Sequence, residues 1–158
     1  METTLAQVVA QELGVKLEDV EIILGDTAAV SHSTGTYASR GAVFGGGAGT
    51  LAAQAVRDKI IRVAGHLLEA AEEDIEVGGG NVWVKGTDRK MTIRDLARAL
   101  YSNMGSVPKE MRDEIDNLEA TKVYDPFFGT TTAATHMCLV EVDPETYNAK
   151  VKKYIVVE

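Results

Sequence analysis

The sequence predicts an α+β fold in which a mixed β-sheet carries one long helix with a glycine-rich head and several shorter helices. Apolar residues recur at helical spacing in residues 4–13, 40–71 and 92–101, whereas residues 122–158 are rich in β-branched and aromatic residues separated by turn signals. The chain has 158 residues, of which 45% are hydrophobic and 25% charged. These values fit a single domain, residues 1–158, that buries a real core.

The first predicted helix begins almost at residue 1 and stops at Gly14. Thr4 and Gln7 suit a capping box at its start. The apolar positions of this helix are Leu5, Val8, Val9 and Leu13. A β-strand follows over Val20–Leu24 and ends at a Gly-Asp turn signal. A helix at the very start, together with a last predicted strand that runs to the final residues, predicts that further sequence or another chain completes the fold.

The long helix is predicted from about Arg40 to Ala71, with Ser39 as its N-cap. Its first turns contain four glycines, each of which costs up to about 1 kcal/mol relative to alanine. They are Gly45, Gly46, Gly47 and Gly49. Either close packing against another backbone or the approach of a ligand accounts for such a weak start.

Residues 75–84 predict a hairpin that turns at Gly78–Asn81. Asp74–Val77 also echoes Asp19–Ile22, which suggests two successive helix-to-strand units. The helix at 92–101 has Thr92 as its predicted N-cap, with Asp95 in its first turn. Residues 102–120 are predicted to be a mobile connection with one helical turn around 111–115.

The C-terminal third is predicted to be β-structure. Its predicted strands cover residues 122–124, 131–142 and 149–157, and a DPETYN turn joins the last two into a hairpin.

The loop before the long helix favours an anion. Residues 31–50 combine small hydroxyl residues and glycines with a helix N-terminus, where backbone N–H groups are exposed. Thr34, Thr36 and Arg40 add side-chain donors. The alternative is an ordinary surface loop whose glycines serve packing alone, because glycine-rich matches are weak signals.

Composition excludes several classes of function. A net charge of −8 and thinly spread Lys and Arg argue against a nucleic-acid surface. Neither a run of roughly 20 apolar residues nor a signal-peptide layout is present, so the expected location is cytoplasmic, away from the membrane. Cys138 is the only cysteine, so it has no intrachain disulfide partner, and it is predicted to be buried.

The residues that could perform chemistry are few. His32, His66 and His136 lie far apart without metal-type spacing, so no metal ligand is assigned. His32 lies in the anion-favouring loop, where it faces either a ligand or solvent, and His66 is predicted at the surface. His136 and Cys138 share one face of a strand, which is more typical of a core than of a nucleophile and its base. The acidic residues between 69 and 74 are predicted to form a solvated face.

Two stretches resemble the large subunit of the xanthine dehydrogenase, aldehyde oxidase and carbon monoxide dehydrogenase family. They are GDTAAVSHSTGTYASRG, preceded by TTLAQVVAQELGVKLEDVEII, and THMCLVEVDPETYNAKVKKYIVVE. The resemblance spans essentially the whole chain and implies part of the second molybdenum-cofactor-binding domain. Members of this family oxidise small substrates at a molybdenum held by molybdopterin, often as its cytosine dinucleotide, and pass electrons through iron-sulfur clusters to FAD.

The resemblance implies cofactor-binding residues in the TGTYASR segment. They are Thr36, Tyr37, Ala38, Ser39 and Arg40. The family's glycine and glutamine motif, its catalytic glutamate and its cluster-binding cysteines have no counterpart here. The implied protein is therefore a fragment or split subunit that is inactive alone, with partners that supply the remaining large-subunit lobes, the iron-sulfur subunit and the flavin subunit. The alternatives are a free-standing phosphate- or nucleotide-binding module and a non-catalytic interaction domain. The glycine run of this chain has no GK[ST] ending, which argues against a nucleotide triphosphatase.

Overall fold

A computed structural model describes residues 1–30, 33, 35–103, 105–126 and 133–158. They form two compact units, Met1–Phe127 and Phe128–Glu158. The helices are α1 (Glu2–Leu13), α2 (Gly46–Leu67), α3 (Ile93–Ser102) and α4 (Lys109–Ile115). The strands are β1 (Ile75–Gly78), β2 (Asn81–Val84), β3 (Lys90–Thr92), β4 (Thr135–Val142) and β5 (Ala149–Val157). The predicted α+β class is confirmed, although these strands form two antiparallel sheets instead of one mixed sheet.

The core of the first unit lies between α2, α3 and the sheet β1-β2-β3. Its most completely buried side chains are Ile60, Val63, Val82, Leu96 and Val107. The predicted hairpin is confirmed, with Ile75 opposite Val84 and Gly78 opposite Asn81. Alternation along β1 and β2 turns one face of this hairpin toward α2, because successive side chains of a strand point to opposite faces.

The glycine-rich head of α2 packs closely against α1. A π-helical turn, Gly41–Gly45, leads directly into α2. A side chain in place of the hydrogen at Gly41, Gly45 or Gly49 would meet, respectively, Met1, Leu5 or Val9. The contacts advance along both helices in the same direction, so the two helices run side by side in parallel. The packing is tightest at Gly41 and Gly45, whereas a side-chain carbon at Gly49 would make only an ordinary van der Waals contact with Val9.

The connection after α3 is packed within the first unit, so the predicted mobility is wrong, whereas the predicted helical turn around 111–115 is confirmed as part of α4. The α3 cap itself is confirmed, because Thr92 Oγ1 accepts a hydrogen bond from the Asp95 amide at 3.0 Å. Beyond α3, α4 buries Ile115 in the core. Lys59 Nζ then donates to the carbonyl oxygens of Asn117 and Glu119 at 2.8 and 2.9 Å. Alternating charge suggested mobility, but Val107 and Ile115 lie in the core, and Met111 and Leu118 pack against it.

Two predictions near the N-terminus are wrong. Thr4 cannot cap α1, since the helix already begins at Glu2 and its N-cap, Met1, makes no side-chain cap bond. Val20–Leu24 is not part of a strand. By contrast, Gly14 ends α1 as predicted. Its φ is 71°, and its backbone N–H donates a hydrogen bond to the Ala10 carbonyl oxygen.

Two other predicted boundaries also shift. The long helix ends at Leu67, a turn earlier than predicted, because Glu69 adopts a positive φ of 50°. Residues 122–124 are not assigned to a strand.

The second unit is the predicted C-terminal hairpin, which is confirmed. Strands β4 and β5 pair antiparallel from Thr135 opposite Val157 to Val142 opposite Ala149, with an irregularity at Leu139/Val140. Cys138 is exposed, so its predicted burial is wrong. A two-stranded hairpin has no second layer of its own to cover a side chain.

Candidate cofactor-contact turn

Arg40 is the best-anchored residue of the predicted site. Its guanidinium lies over the Tyr37 ring, 3.6 Å from the ring centroid, and 5.4 Å from the Phe44 ring centroid. The Nη2 and Nε atoms both donate to the Gly35 carbonyl oxygen, at 2.8 and 3.3 Å. The cation therefore has a fixed position at the entrance to the π-helical turn, although Tyr37 itself is 60% exposed.

Ala38 and Ser39 give the turn its unusual backbone. Both have positive φ, 52° and 56°, which costs energy for residues other than glycine. Arg40 returns to right-handed helical angles, φ −84° and ψ −11°, and its amide donates to the Tyr37 carbonyl. A left-handed residue followed by a right-handed one is a backbone pattern found in anion-binding turns, but the Arg40 amide itself is already bonded to the Tyr37 carbonyl.

Ser39 is not the N-cap of the long helix, contrary to the prediction. The N-cap of α2 is Gly45 and that of the π-helical turn before it is Arg40, and neither residue makes a side-chain cap bond. The left-handed conformation of Ser39 explains the difference, because a capping residue has extended backbone angles. The Ser39 side chain is exposed.

Thr36 reaches the head of the helix from the other end of the turn. Its Cγ2 methyl lies 3.1 Å from where a side-chain carbon at Gly41 would stand. The five predicted residues are therefore brought together in one continuous turn. His32 and Thr34, which the sequence placed in the same loop, lie outside the described residues.

Two contributors to this turn were missed from the sequence. Gly35 supplies the carbonyl that holds Arg40, and Phe44 supplies the second ring beside the guanidinium. Phe44 follows Arg40 by four positions, a spacing that places side chains on one helix face, so this partner could have been found. The role of Gly35 depends on its positive φ of 76°, for which a glycine alone is a weak signal.

The remaining candidates lie elsewhere. His66 is exposed near the end of α2, as predicted, and the Nδ1 atom of His136 lies 3.2 Å from the Tyr154 hydroxyl. No group of three metal-ligating side chains occurs among the described residues. No helix in the described part of the chain is long and apolar enough to cross a membrane.

Two open grooves near the end of α2 are poor anion sites. Their volumes are about 610 and 510 Å³, and His66 borders both. Carboxylates line them: Glu69 in the larger groove, Glu72 and Glu73 in the smaller. Arg62 borders the smaller groove but is already paired with Glu114. An anion would meet repulsion there.

The donor set of the 36–40 turn suits a phosphate group. It combines backbone amides, the hydroxyls of Thr36 and Ser39, and the guanidinium of Arg40, all of which serve as donors to phosphate oxygens. A helix follows directly, and its N-terminal dipole favours negative charge. The fold and this turn together define an α+β domain with a turn whose donor groups suit an anion.

Comparison with known proteins identifies the family of this chain. Residues 1–158 match the molybdopterin cofactor-binding domain. The chain is 36% identical over 158 residues to the nicotine 6-hydroxylase large subunit of Paenarthrobacter nicotinovorans. The alignment covers 99% of this chain and 19% of that protein. It is 34% identical over 154 residues to the carbon monoxide dehydrogenase large chain of Afipia carboxidovorans, and the alignment covers 97% of this chain and 18% of that one.

Comparison with a solved structure agrees with this family assignment. The chain superposes on quinoline 2-oxidoreductase from Pseudomonas putida 86 with a TM-score of 0.79 and 38% identity, over 98% of this chain and 19% of that one. The chain therefore belongs to the molybdopterin-binding large-subunit family of the xanthine and carbon monoxide dehydrogenases, of which it spans about a fifth of the length.

Proposed function

We propose that residues 36–40 hold the phosphate end of a molybdopterin cofactor and form one wall of a site that other parts of a molybdenum hydroxylase complete. The observation that carries this proposal is the fixed position of the Arg40 guanidinium, held by Tyr37 and the Gly35 carbonyl. An arginine that is already ordered loses little side-chain entropy when it meets an anion.

The chain's own residues have distinct tasks in this proposal. Arg40 supplies positive charge to a bound phosphate group in a protein whose net charge is −8. The Ser39 and Thr36 hydroxyls donate to phosphate oxygens, and the turn amides add to them. The cofactor, when bound, supplies the redox chemistry, and this chain contributes binding and orientation.

The wider assembly is part of the same proposal. The relatives include a large subunit and a large chain, and one further relative is subunit gamma of a dehydrogenase complex. We expect this chain to work with the remaining large-subunit lobes, an iron-sulfur subunit and an FAD subunit in the cytoplasm. The cofactor is expected as the cytosine dinucleotide form, and the isolated chain is expected to be inactive.

Cofactor retention in the assembled protein tests the site. This chain would be co-produced with the remaining large-subunit regions and purified by its own tag, and molybdenum and pterin would be measured per mole of protein. Ser39→Ala and Arg40→Gln each remove donors, and we expect cofactor affinity to fall by roughly tenfold or more, the value of one charge-assisted hydrogen bond. Alanine is preferred to proline at Ser39, because the proline ring cannot adopt a positive φ.

A matched control is Arg98→Gln. Arg98 is an exposed arginine on α3, paired with Asp95 within its own helix, and it loses the same charge. Its variant should retain the cofactor fully. Wild-type retention in both Ser39→Ala and Arg40→Gln would refute the proposed site.

A further inference from the structure

Two successive segments of the first unit have the same local structure. Each helix, α1 and α2, is followed by a residue with positive φ, Gly14 in one case and Glu69 in the other. The next amide in each, that of Val15 or Ala70, donates back into the helix, to the carbonyl of Ala10 or Gly65. Each helix thus ends in the same type of C-terminal cap.

The equivalence continues beyond the caps. A 3₁₀ turn follows in each segment, Leu17–Asp19 in the first and Glu72–Asp74 in the second. The chain then becomes extended at Val20 (φ −110°, ψ 118°) and at Ile75 (φ −87°, ψ 126°). The short sequence echo is therefore a repeat of helix, cap, 3₁₀ turn and extended segment.

The two repeats differ in what happens to the extended segment. In the second, Ile75–Gly78 is strand β1, paired along its length with β2, and Ile75 and Val77 are buried. In the first, the chain is extended at Val20, yet no backbone hydrogen bond within the described residues reaches Glu21–Leu24. Ile23 and Leu24 are 57% and 51% exposed. The first repeat therefore shares with the second the cap, the 3₁₀ turn and the extended residue after it, but it has no neighbouring strand among the described residues.

We propose that Val20–Leu24 is a docking edge for a β-strand supplied by the part of the large subunit that lies outside this chain. An extended apolar segment with unpaired N–H and C=O groups is a template for strand addition. The occupant follows from the comparison, because this chain spans 19% of its relative and the other four-fifths of that length belongs to the same subunit. The proposal does not depend on the cofactor site, since backbone pairing requires no ligand.

Hydrogen exchange measures this pairing directly. Peptides that cover residues 20–24 and 75–78 would be compared in the isolated chain and in the complex with the remaining large-subunit regions. We expect residues 20–24 to exchange rapidly in the isolated chain and at least about tenfold more slowly in the complex. Residues 75–78 are the internal control and should be protected in both. Rapid exchange of residues 20–24 in the complex would overturn the proposal.

A pair of proline variants separates strand addition from side-chain packing. Adjacent N–H groups of a strand point to opposite sides, so only one of Ile22→Pro and Ile23→Pro removes a donor from the docking side. We expect one variant to lower recovery of the complex by at least about tenfold and the other to leave recovery near wild type. Equal effects of both variants would contradict pairing through the backbone.

The oligomeric state of the isolated chain supplies the last comparison. If light scattering shows that the isolated chain is a monomer, the result supports residues 20–24 as an edge that pairs with the rest of the large subunit. Protection of residues 20–24 in a dimer of the isolated chain would assign the edge to a second copy and overturn the stated occupant. If the proline variants fail to fold, the exchange experiment on the unaltered sequence still decides the question.

Discussion

Gly47 lies directly under the ring of Tyr124. A side-chain carbon at Gly47 would stand 2.6 Å from Tyr124 Cε1, too close for any real contact. Gly46, the preceding residue, is buried in the helix but has no atom within 4 Å of the equivalent position. The head of α2 thus contains one glycine that an aromatic ring requires and a neighbour that could be replaced.

We expect Gly47→Ala to destabilise the chain by about 1–3 kcal/mol, since overpacking displaces the Tyr124 ring. Gly46→Ala should instead stabilise it by up to about 1 kcal/mol, because alanine is the better helix former. Urea unfolding of both variants measures the difference. Tyr124→Ala in the Gly47→Ala background should recover part of the loss due to the methyl group, and equal stability of the two single variants would contradict the packing described above.

The equivalent caps of α1 and α2 predict opposite effects. Glu69 adopts φ 50°, so Glu69→Gly should raise the free energy of unfolding by about 1 kcal/mol as the left-handed strain is relieved. The hydrogen bonds from Arg89 to the carbonyls of Leu68 and Glu69 are kept, since they involve backbone oxygens. Thermal unfolding measures the gain.

Gly14→Ala should do the reverse and cost at least about 1 kcal/mol. Its φ is 71°, and a methyl group would lie 3.0 Å from the Val77 carbonyl oxygen. Glu73→Gly, in the 3₁₀ turn after α2, is the control for adding a glycine without left-handed strain. Stabilisation by Glu73→Gly equal to that by Glu69→Gly would argue against the cap explanation.

The stacking of Arg40 on Tyr37 is expected to stabilise the turn by about 0.5–1 kcal/mol, the usual range for an exposed cation-π pair. A double-mutant cycle with Arg40→Lys and Tyr37→Leu isolates this energy. Lysine keeps the charge but loses the planar contact with the ring and the paired donation to Gly35. A coupling energy of zero in urea unfolding would show that the stack adds nothing to stability.

Asp143 makes the C-terminal hairpin sensitive to acid. The amides of Glu145 and Thr146 donate to its carboxylate at 2.8 and 3.3 Å, and these bonds hold the pKa of Asp143 below its usual value of 3.8. Because the folded pKa is depressed, the stabilisation is fully present above pH 3.8 and is lost as the pH falls through the lowered folded value.

NMR titration of the Glu145 and Thr146 amide shifts should therefore report a midpoint below 3.8. Asp143→Asn, which cannot ionise, should remove that titration. A midpoint at or above 3.8 for Asp143 would contradict the hydrogen-bond assignment.

The sequence by itself determined the elements whose causes are local. Thr92 caps α3 because its hydroxyl lies within reach of the free amide three residues later, without help from any distant residue. Gly14 ends α1 because glycine tolerates a positive φ. Alternation along Ile75–Val84 was enough to predict a hairpin and its turn. The motifs around Thr36–Arg40 also indicated the family, which the comparisons confirmed.

Tertiary structure decided the features that depend on a distant neighbour. Gly45 and Gly49 lie against Leu5 and Val9, Gly47 lies against Tyr124, and no local pattern shows which surface a glycine approaches. Val20–Leu24 has a strand sequence but no partner among the described residues, because a ladder requires a second strand whereas a helix satisfies its own backbone. Ser39 does not have its predicted cap role, because its backbone is left-handed, which the sequence did not reveal.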